Sequence, residues 1–189
     1  MLNRMSVKSN SFVITGTSGS GKTRLIEHLS ERGFTVHKEA TRLVLEQQSA
    51  IDGPGLPAKD PELFLNLMLG YCVRCLDEAT LVPLRVTFFD RGIPDVIAYA
   101  VRFGVKPERF LRAARKHTFN RNVFVLPPWK NIFVPDEFRG KTFEEYKKFH
   151  QIILDAYEYS GCRLIEVPMV SVSDRAEYVI KKVCELGQQ

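Results

Sequence analysis

The residues with the clearest chemistry form one loop near the start of the chain. They match the pattern G-x-x-x-x-G-K-[ST] and are Gly16, Thr17, Ser18, Gly19, Ser20, Gly21, Lys22 and Thr23. Glycines let the backbone of such a loop turn successive N–H groups inward, where they can hold a phosphate. The helix that follows adds the positive end of its dipole. The loop therefore predicts a nucleotide site, in which Lys22 reaches the β- and γ-phosphates and Thr23 binds Mg²⁺.

The sequence on either side of the loop gives this motif the setting that it requires. Residues 11–15 are a short β-rich run, and residues 24–29 carry apolar side chains at helical spacing. The order is strand, loop and helix, as in phosphate-binding proteins. The alternative is a flexible turn rich in Gly and Ser ahead of a helix, and it explains less of the pattern.

Two carboxylates follow predicted strands and are expected beside the loop. Glu39 comes after the strand predicted at 34–37, and Asp90 closes the apolar strand predicted at 84–89. Ligands of open parallel sheets collect outside the carboxyl ends of the strands. Asp90 is therefore predicted to orient Mg²⁺ together with Thr23, directly or through water. Glu39 is predicted to face the same crevice as the loop, although a solvated glutamate at a helix start explains it equally well.

Four further side chains are weaker candidates for the same crevice. Arg42 shares the segment that follows the second strand. Asp95 lies in the first turn of a later predicted helix, where it could bind substrate hydroxyls or serve only as a helix-start acid. Arg139 and Lys141 belong to an irregular segment, 129–141, that could form a lid. A lid arginine neutralises charge on a transferred phosphoryl group, whereas a solvated basic loop explains Lys141 equally well.

Strands and helices alternate along the whole chain. Apolar runs predict strands at 11–15, 34–37, 84–89, 122–126 and 163–167. Helix-start signals follow the loop and lie at Asp60, Pro94, Pro107, Thr142 and Ser173. The alternation predicts an α/β, three-layer P-loop NTPase fold, with a five-stranded, mainly parallel sheet and helices on both faces.

Length and composition favour one domain at 11–189 after a disordered N-terminal tail at 1–10. The 189 residues are 44% hydrophobic, which is enough for a substantial core. The net charge of +5 comes from scattered residues, so we do not predict nucleic-acid binding. No run approaches the roughly twenty apolar residues of a membrane span. A cytoplasmic protein is expected because no secretory signal accompanies the four cysteines.

Two of the cysteines, Cys72 and Cys75, form a C-x-x-C within an apolar, helix-like run. A zinc site of the common kind needs a second pair of ligands at similar spacing, and the sequence offers none. We therefore expect these residues to be thiols of the core.

Four segments carry a resemblance to a known family. They are the loop at 16–23, the Glu-Ala-x-Arg run at 39–42, the Phe-Asp-Arg-Gly-x-Pro-Asp run at 89–95 and the Glu-Val-Pro run at 166–168. Together they resemble the NadR/Ttd-type AAA domain family of P-loop ATPases, over nearly the full chain.

This family is related in fold to nucleoside and nucleotide kinases, in which an acidic residue after strand two and an acidic–arginine pair after strand three sit at the acceptor site. The resemblance therefore implies acceptor-site roles for Glu39, Asp90 and Arg91. The chain departs from the Asp-Gly-x-Arg lid signature of the family, because it has Asp-Glu-Phe-Arg at 136–139.

These features predict a Mg²⁺-dependent, ATP-binding phosphotransferase that acts on a small hydroxylated acceptor, either nucleoside-like or ribosyl. Glu39 would take up the proton of the acceptor hydroxyl, while Lys22, Arg91 and Arg139 would stabilise the transferring phosphoryl group.

The alternative is a regulatory ATPase or GTPase whose nucleotide state is read by a protein partner. The sequence lacks the Asn-Lys-x-Asp guanine motif and an Asp-x-x-Gly after the third predicted strand, which argues against the GTPase form. The chain is also short for an AAA+ motor, which carries an additional helical domain.

Overall fold

The computed structural model describes residues 10–132 and 142–188. Strands in this part of the chain are β1 Ser11–Thr15, β2 Thr35–His37, β3 Thr87–Asp90, β4 Asn122–Val125 and β5 Arg163–Glu166. The α-helices are α1 Lys22–Glu31, α2 Ala40–Ala50, α3 Pro61–Thr80, α4 Ile93–Phe103, α5 Glu108–Lys116, α6 Phe143–Tyr159 and α7 Val172–Gly187. A single 3₁₀ turn, Lys130–Ile132, follows β4.

The five strands form one sheet in the order β2-β3-β1-β4-β5, and every pair of neighbours is parallel. The register aligns the strand ends: Ile14 pairs with Asp90, His37 with Phe89, and Val125 with Glu166. The segments that follow β1, β2 and β3 therefore leave the sheet at the same edge. This confirms the predicted α/β fold, and the sheet is parallel throughout.

Helices cover both faces of the sheet, as the sequence predicts. On one face α1 packs against α7, and apolar side chains from both helices meet those of Phe12, Ile14, Phe88 and Phe124. On the other face α4 is the central helix and contacts α3, α5 and α6. Two apolar cores result, one on each side of the strands, and together they make the sheet a rigid platform for the loops at its edge.

Several predicted boundaries are confirmed because local chemistry sets them. Asp60 caps α3 by accepting a hydrogen bond from the backbone N–H of Leu63 at 2.9 Å, and Pro61 occupies the first helical position. Thr142 and Glu145 form a capping box at the predicted start of α6. These caps fix where two of the long helices enter the structure.

Two predicted boundaries are wrong. The strand predicted at 84–89 begins only at Thr87, because a turn with a hydrogen bond from Arg85 N–H to the Val82 carbonyl precedes it. Leu84 lies in this turn and is 94% exposed, so its apolar character does not signal a buried strand. The last helix is capped by Ser171, two residues before the start predicted at Ser173, and the Ser171 hydroxyl accepts from the N–H of Asp174.

Some predictions fall on residues that the structure does not describe. Residues 1–9 of the proposed tail, and Arg139 and Lys141 of the proposed lid, lie outside 10–132 and 142–188. Asn10, the last residue of the proposed tail, donates a hydrogen bond to the Pro83 carbonyl at 2.9 Å. Within the described ranges, no helix combines the length and the apolar character needed to cross a membrane.

Candidate active site

The loop after β1 has the backbone conformation that its glycines predict. Gly16, Gly19 and Gly21 all have positive φ, at 141°, 78° and 87°. A Cβ at Gly16 would lie 2.4 Å from the carbonyl oxygen of Leu126, and one at Gly21 would lie 2.7 Å from a guanidinium nitrogen of Arg175. A side chain at Gly16 would collide with backbone, whereas one at Gly21 would only push the Arg175 guanidinium aside, so glycine is required by conformation at both positions and also by space at Gly16.

Lys22 is the first residue of α1 and is buried against the loop. Its Nζ donates to the carbonyl oxygen of Thr17 at 2.7 Å, so the ammonium group is held inside the curl of the backbone. Burial, with a contribution from the charge of Arg91, lowers the pKa of Lys22 to about 8. Thr17 also has a buried hydroxyl without a hydrogen-bond partner among the described residues. The loop thus holds one buried cation and one unused hydroxyl.

Asp90 ends β3 beside this cation. It is 7% exposed, and its Oδ1 has no hydrogen-bond partner among the described residues. Burial raises the pKa of Asp90 to about 6, against the opposing charge of Lys22. A buried carboxylate oxygen without a partner is costly, and a cation is the ligand that relieves the cost. Carboxylate oxygen is also the donor that Mg²⁺ prefers, so Asp90 fits the predicted metal.

Glu39 and Arg91 meet at the same edge as an ion pair. The Nε of Arg91 donates to Oε1 of Glu39 at 2.7 Å, and its Nη1 donates to the Gly16 carbonyl at 2.8 Å. Burial opposes ionisation of Glu39, but the charges of Arg91 and Lys22 outweigh it and lower the pKa of Glu39 to about 2. Glu39 is therefore a carboxylate at any working pH, and it is a weak base.

Arg91 has a φ of 75°, in the left-handed region that side chains other than glycine rarely adopt. Strain of this kind costs on the order of 1–3 kcal/mol and persists only where the surroundings fix the residue. Its backbone N–H donates to the Ile14 carbonyl at 3.0 Å, and its guanidinium group holds Glu39 and the loop. The guanidinium is thus already engaged by protein groups, which differs from the predicted direct contact with a phosphoryl group.

Asp95 is not at the mouth of the crevice, which corrects the prediction that it could bind substrate hydroxyls. It is 0% exposed and accepts four hydrogen bonds. The donors are the Thr15 hydroxyl at 2.7 Å, Arg91 Nη1 at 3.1 Å, the Gly92 N–H at 2.9 Å and the Tyr157 hydroxyl. Both carboxylate oxygens are used by the protein, so Asp95 is a buried connection between β1, α4 and α6.

Two other predicted residues lie on the surface near the site. Thr23 is exposed in the first turn of α1, next to the loop, so its hydroxyl is accessible to a metal ion. Arg42 is exposed on α2 and forms an ion pair with Glu46 at 3.9 Å. The structure brings Lys22, Glu39, Asp90 and Arg91 together and leaves Arg42 outside this group.

Two residues near the loop were missed by sequence reasoning. Arg175 on α7 covers Gly21, donates to the Ser20 carbonyl at 3.4 Å and has its guanidinium 5.7 Å from the Trp129 ring centroid. His150 on α6 is close enough to Lys22 for the ammonium to help burial lower the His150 pKa, to about 4. No local pattern marks these side chains, because distant segments of the chain bring them to the loop.

Comparisons with solved structures give chains of similar fold. The YorR protein from Bacillus subtilis, in complex with phosphorylated GDP, has a TM-score of 0.60 at 14% identity, over 95% of this chain and 98% of that chain. Thymidylate kinase from Ehrlichia chaffeensis has a TM-score of 0.58 at 16% identity, over 92% and 97%. At such low identity these likenesses show the fold alone.

The NadR protein in complex with NR has a TM-score of 0.63 at 19% identity, over 94% of this chain. The chain spans about half of the NadR chain, 51% of its length. No curated protein matches the sequence. The family model described as "AAA domain" matches residues 11–175, which include the loop and the group formed by Lys22, Glu39, Asp90 and Arg91. The chain therefore belongs to the AAA domain family, with the kinase-like P-loop fold that the sequence predicts.

Proposed function

We propose that the protein is a Mg²⁺-dependent phosphotransferase that moves the terminal phosphoryl group of ATP to a small hydroxylated acceptor. The observation that carries the proposal is the buried Oδ1 of Asp90, which lies beside the Lys22 ammonium and has no hydrogen-bond partner within 10–132 and 142–188. A loop that only holds phosphate needs the cation. A buried carboxylate oxygen beside that cation, with no partner in the described part of the chain, supports the binding of a metal ion together with the nucleotide.

In this proposal the loop residues 16–23 bind the phosphates of ATP through backbone N–H groups. Lys22 leaves the Thr17 carbonyl and contacts the β- and γ-phosphates, which a buried and partly desolvated ammonium does strongly. Thr23 and Asp90 would hold Mg²⁺, which neutralises charge on the transferring group. Arg139, outside the described residues, remains our candidate for a lid cation.

Glu39 orients the acceptor by accepting a hydrogen bond from its hydroxyl. Arg91 holds the carboxylate in place, and about a quarter of the Glu39 side chain, 26%, is exposed at the crevice. With a pKa of about 2, Glu39 is better suited to this orienting role than to the general-base role that the sequence predicts. Phosphoryl transfer has a loose transition state, in which positioning and charge stabilisation matter most, so a strong base is not needed.

The comparisons support the class of acceptor. One neighbour is a thymidylate kinase, one was crystallised with NR and one with phosphorylated GDP. We therefore propose a nucleoside-like or ribosyl compound, with a hydroxyl that lies between Glu39 and the phosphate loop.

The test is product formation from γ-labelled ATP across a panel of nucleosides, nucleoside monophosphates and ribosyl compounds, with and without Mg²⁺. We expect label transfer to one class of acceptor, dependent on Mg²⁺, and a slow rate with ATP alone. The Arg42→Ala variant is a matched control, because it removes an exposed arginine that follows Glu39 in the chain but does not belong to the group of Lys22, Glu39, Asp90 and Arg91. Hydrolysis of ATP that no acceptor accelerates would contradict the proposal and favour a nucleotide-dependent switch.

A further inference from the structure

Three side chains from β2 and α3 lie close together on the face of the sheet opposite α1. His37 is the last residue of β2, and Cys75 and Glu78 lie one turn apart on α3. One ligand atom from each residue lies within 4.8 Å of the ligand atoms of the other two. An imidazole nitrogen, a thiol sulfur and a carboxylate oxygen form a donor set for a borderline-soft divalent ion.

We propose that His37, Cys75 and Glu78 bind one divalent ion of the Zn²⁺ class, with solvent at the fourth position. Zn²⁺ bonds of about 2.0–2.3 Å in a tetrahedral site would place the ligand atoms roughly 3.3–3.8 Å apart. Closing the site therefore requires a movement of about one ångström. The Glu78 side chain is 49% exposed and can supply it by a change of rotamer.

The surroundings of His37 favour a metal-binding imidazole. The ring stacks on Phe89, with centroids 4.7 Å apart and planes 19° apart, so its orientation is fixed. Burial lowers the pKa of His37, which keeps a nitrogen lone pair available at neutral pH. Among the residues that the structure describes, no hydrogen bond to this ring competes with a metal ion.

Two interactions in the cluster bear on metal affinity. Burial raises the pKa of the Cys75 thiol, while a hydrogen bond with the Tyr71 hydroxyl acts in the opposite direction by supporting the thiolate. Binding must therefore release the thiol proton. Arg74 forms an ion pair with Glu78 at 3.1 Å, but both side chains are exposed, and such pairs contribute only ~0–1 kcal/mol. The metal can displace it.

The position of the cluster gives the site a consequence for the acceptor side. β2 is a three-residue strand at the edge of the sheet, and Glu39 follows His37 by two residues. A metal ion on these ligands would tie the end of this strand to α3. It would thereby restrict the segment that carries Glu39, while leaving Asp90 and Thr23 for the Mg²⁺ of the nucleotide site.

The test is a titration of the reduced protein with Co²⁺, a spectroscopic substitute for Zn²⁺, in the presence of excess Mg²⁺. We expect one equivalent of Co²⁺ to bind with a sulfur-to-cobalt charge-transfer absorption, and Zn²⁺ to displace it. The Cys75→Ala variant should lose this absorption, and Cys184→Ala, which removes an exposed thiol on α7, should keep it. Glu78→Gln changes an exposed side chain, so the fold is retained, and affinity should fall about 10–100-fold.

The absence of a thiolate absorption in the wild type would overturn the proposal. The same holds if the absorption survives in Cys75→Ala or if Glu78→Gln binds as tightly as the wild type. Binding of Co²⁺ at Asp90 alone would give no sulfur absorption and would count against the cluster. The signal does not depend on phosphoryl transfer, so this result is independent of the proposed activity.

Discussion

Asp90 and Asp95 lie five residues apart, both are buried, and the protein treats them in opposite ways. Asp95 accepts hydrogen bonds from four donors on three elements and has no capacity left for a ligand. Asp90 has an oxygen that no described residue contacts by hydrogen bond, and burial raises its pKa to about 6. Asp95 therefore holds the elements of the site together, whereas Asp90 is available to a ligand.

The Glu39–Arg91 pair lies between these extremes. Arg91 links all three carboxylates, because it donates to Glu39 and Asp95 and its charge acts on Asp90. Its strained backbone is held by these contacts and by the loop carbonyl of Gly16. Substitution of Asp95 should therefore lower the free energy of unfolding, whereas substitution of Asp90 should weaken the binding of ligands.

The largest effect on function is expected for Lys22→Ala. The substitution removes the buried cation of the loop, and we expect turnover to fall by at least about 100-fold, as for the loss of a charge-stabilising donor. The variant should still fold, because the one hydrogen bond of the ammonium among the described residues is to the Thr17 carbonyl. The direct measurement is calorimetry of ATP binding, in which the variant should have a lower affinity than the wild type. Equal ATP affinity in the variant and the wild type would contradict the assignment of the loop.

The largest effect on stability is expected for Asp95→Asn. The amide cannot accept from all four donors, and Arg91 would lose a buried partner, so we expect a loss of about 3–5 kcal/mol in the free energy of unfolding. Asp77→Asn, an exposed position on α3, is the matched control and should stay within about 0.5 kcal/mol. Urea unfolding measures both. An Asp95→Asn variant as stable as the control would contradict the structural role assigned to Asp95.

A smaller effect is expected for Glu39→Gln. If Glu39 orients the acceptor, the turnover number should fall about 10–100-fold, the value of one hydrogen bond to a charged group, with ATP affinity unchanged. A loss of 10²–10⁴-fold would instead indicate the general base that the sequence predicts. Arg42→Ala serves as the control on the same helix segment.

The stability difference between wild type and Glu39→Gln should depend on pH. The pKa of Glu39 is lowered in the folded protein from 4.5 to about 2, so its ion pair contributes stability above pH 4.5 that is lost as the pH falls towards 2. The difference in unfolding free energy between wild type and Glu39→Gln should therefore shrink across this range. A difference that stays constant with pH would show that the ion pair does not form in solution.

The sequence predicts the parts of the site that local rules determine. The loop, the bounds of β1 and the caps at Asp60 and Thr142 follow from short motifs, and Asp90 follows from its place at a strand end. Contacts between distant segments could not be predicted. Tyr157 reaches Asp95 across 62 positions and Arg175 reaches Ser20 across 155, and neither residue type signals its partner. Asp95 therefore looks like an ordinary helix-start acid until Thr15 and Tyr157 are placed around it.

The most direct test of the account is Asp90→Asn measured side by side with Asp95→Asn, for both unfolding free energy and Mg²⁺-dependent phosphoryl transfer. We expect Asp90→Asn to be as stable as the wild type or more so, because burial disfavours the charged form of Asp90 and the amide removes that charge, and to lose about 10–100-fold in activity at limiting Mg²⁺. Asp95→Asn should show the reverse order of effects. An Asp90→Asn protein that unfolds as readily as Asp95→Asn, or that keeps full turnover at limiting Mg²⁺, would contradict the central claim.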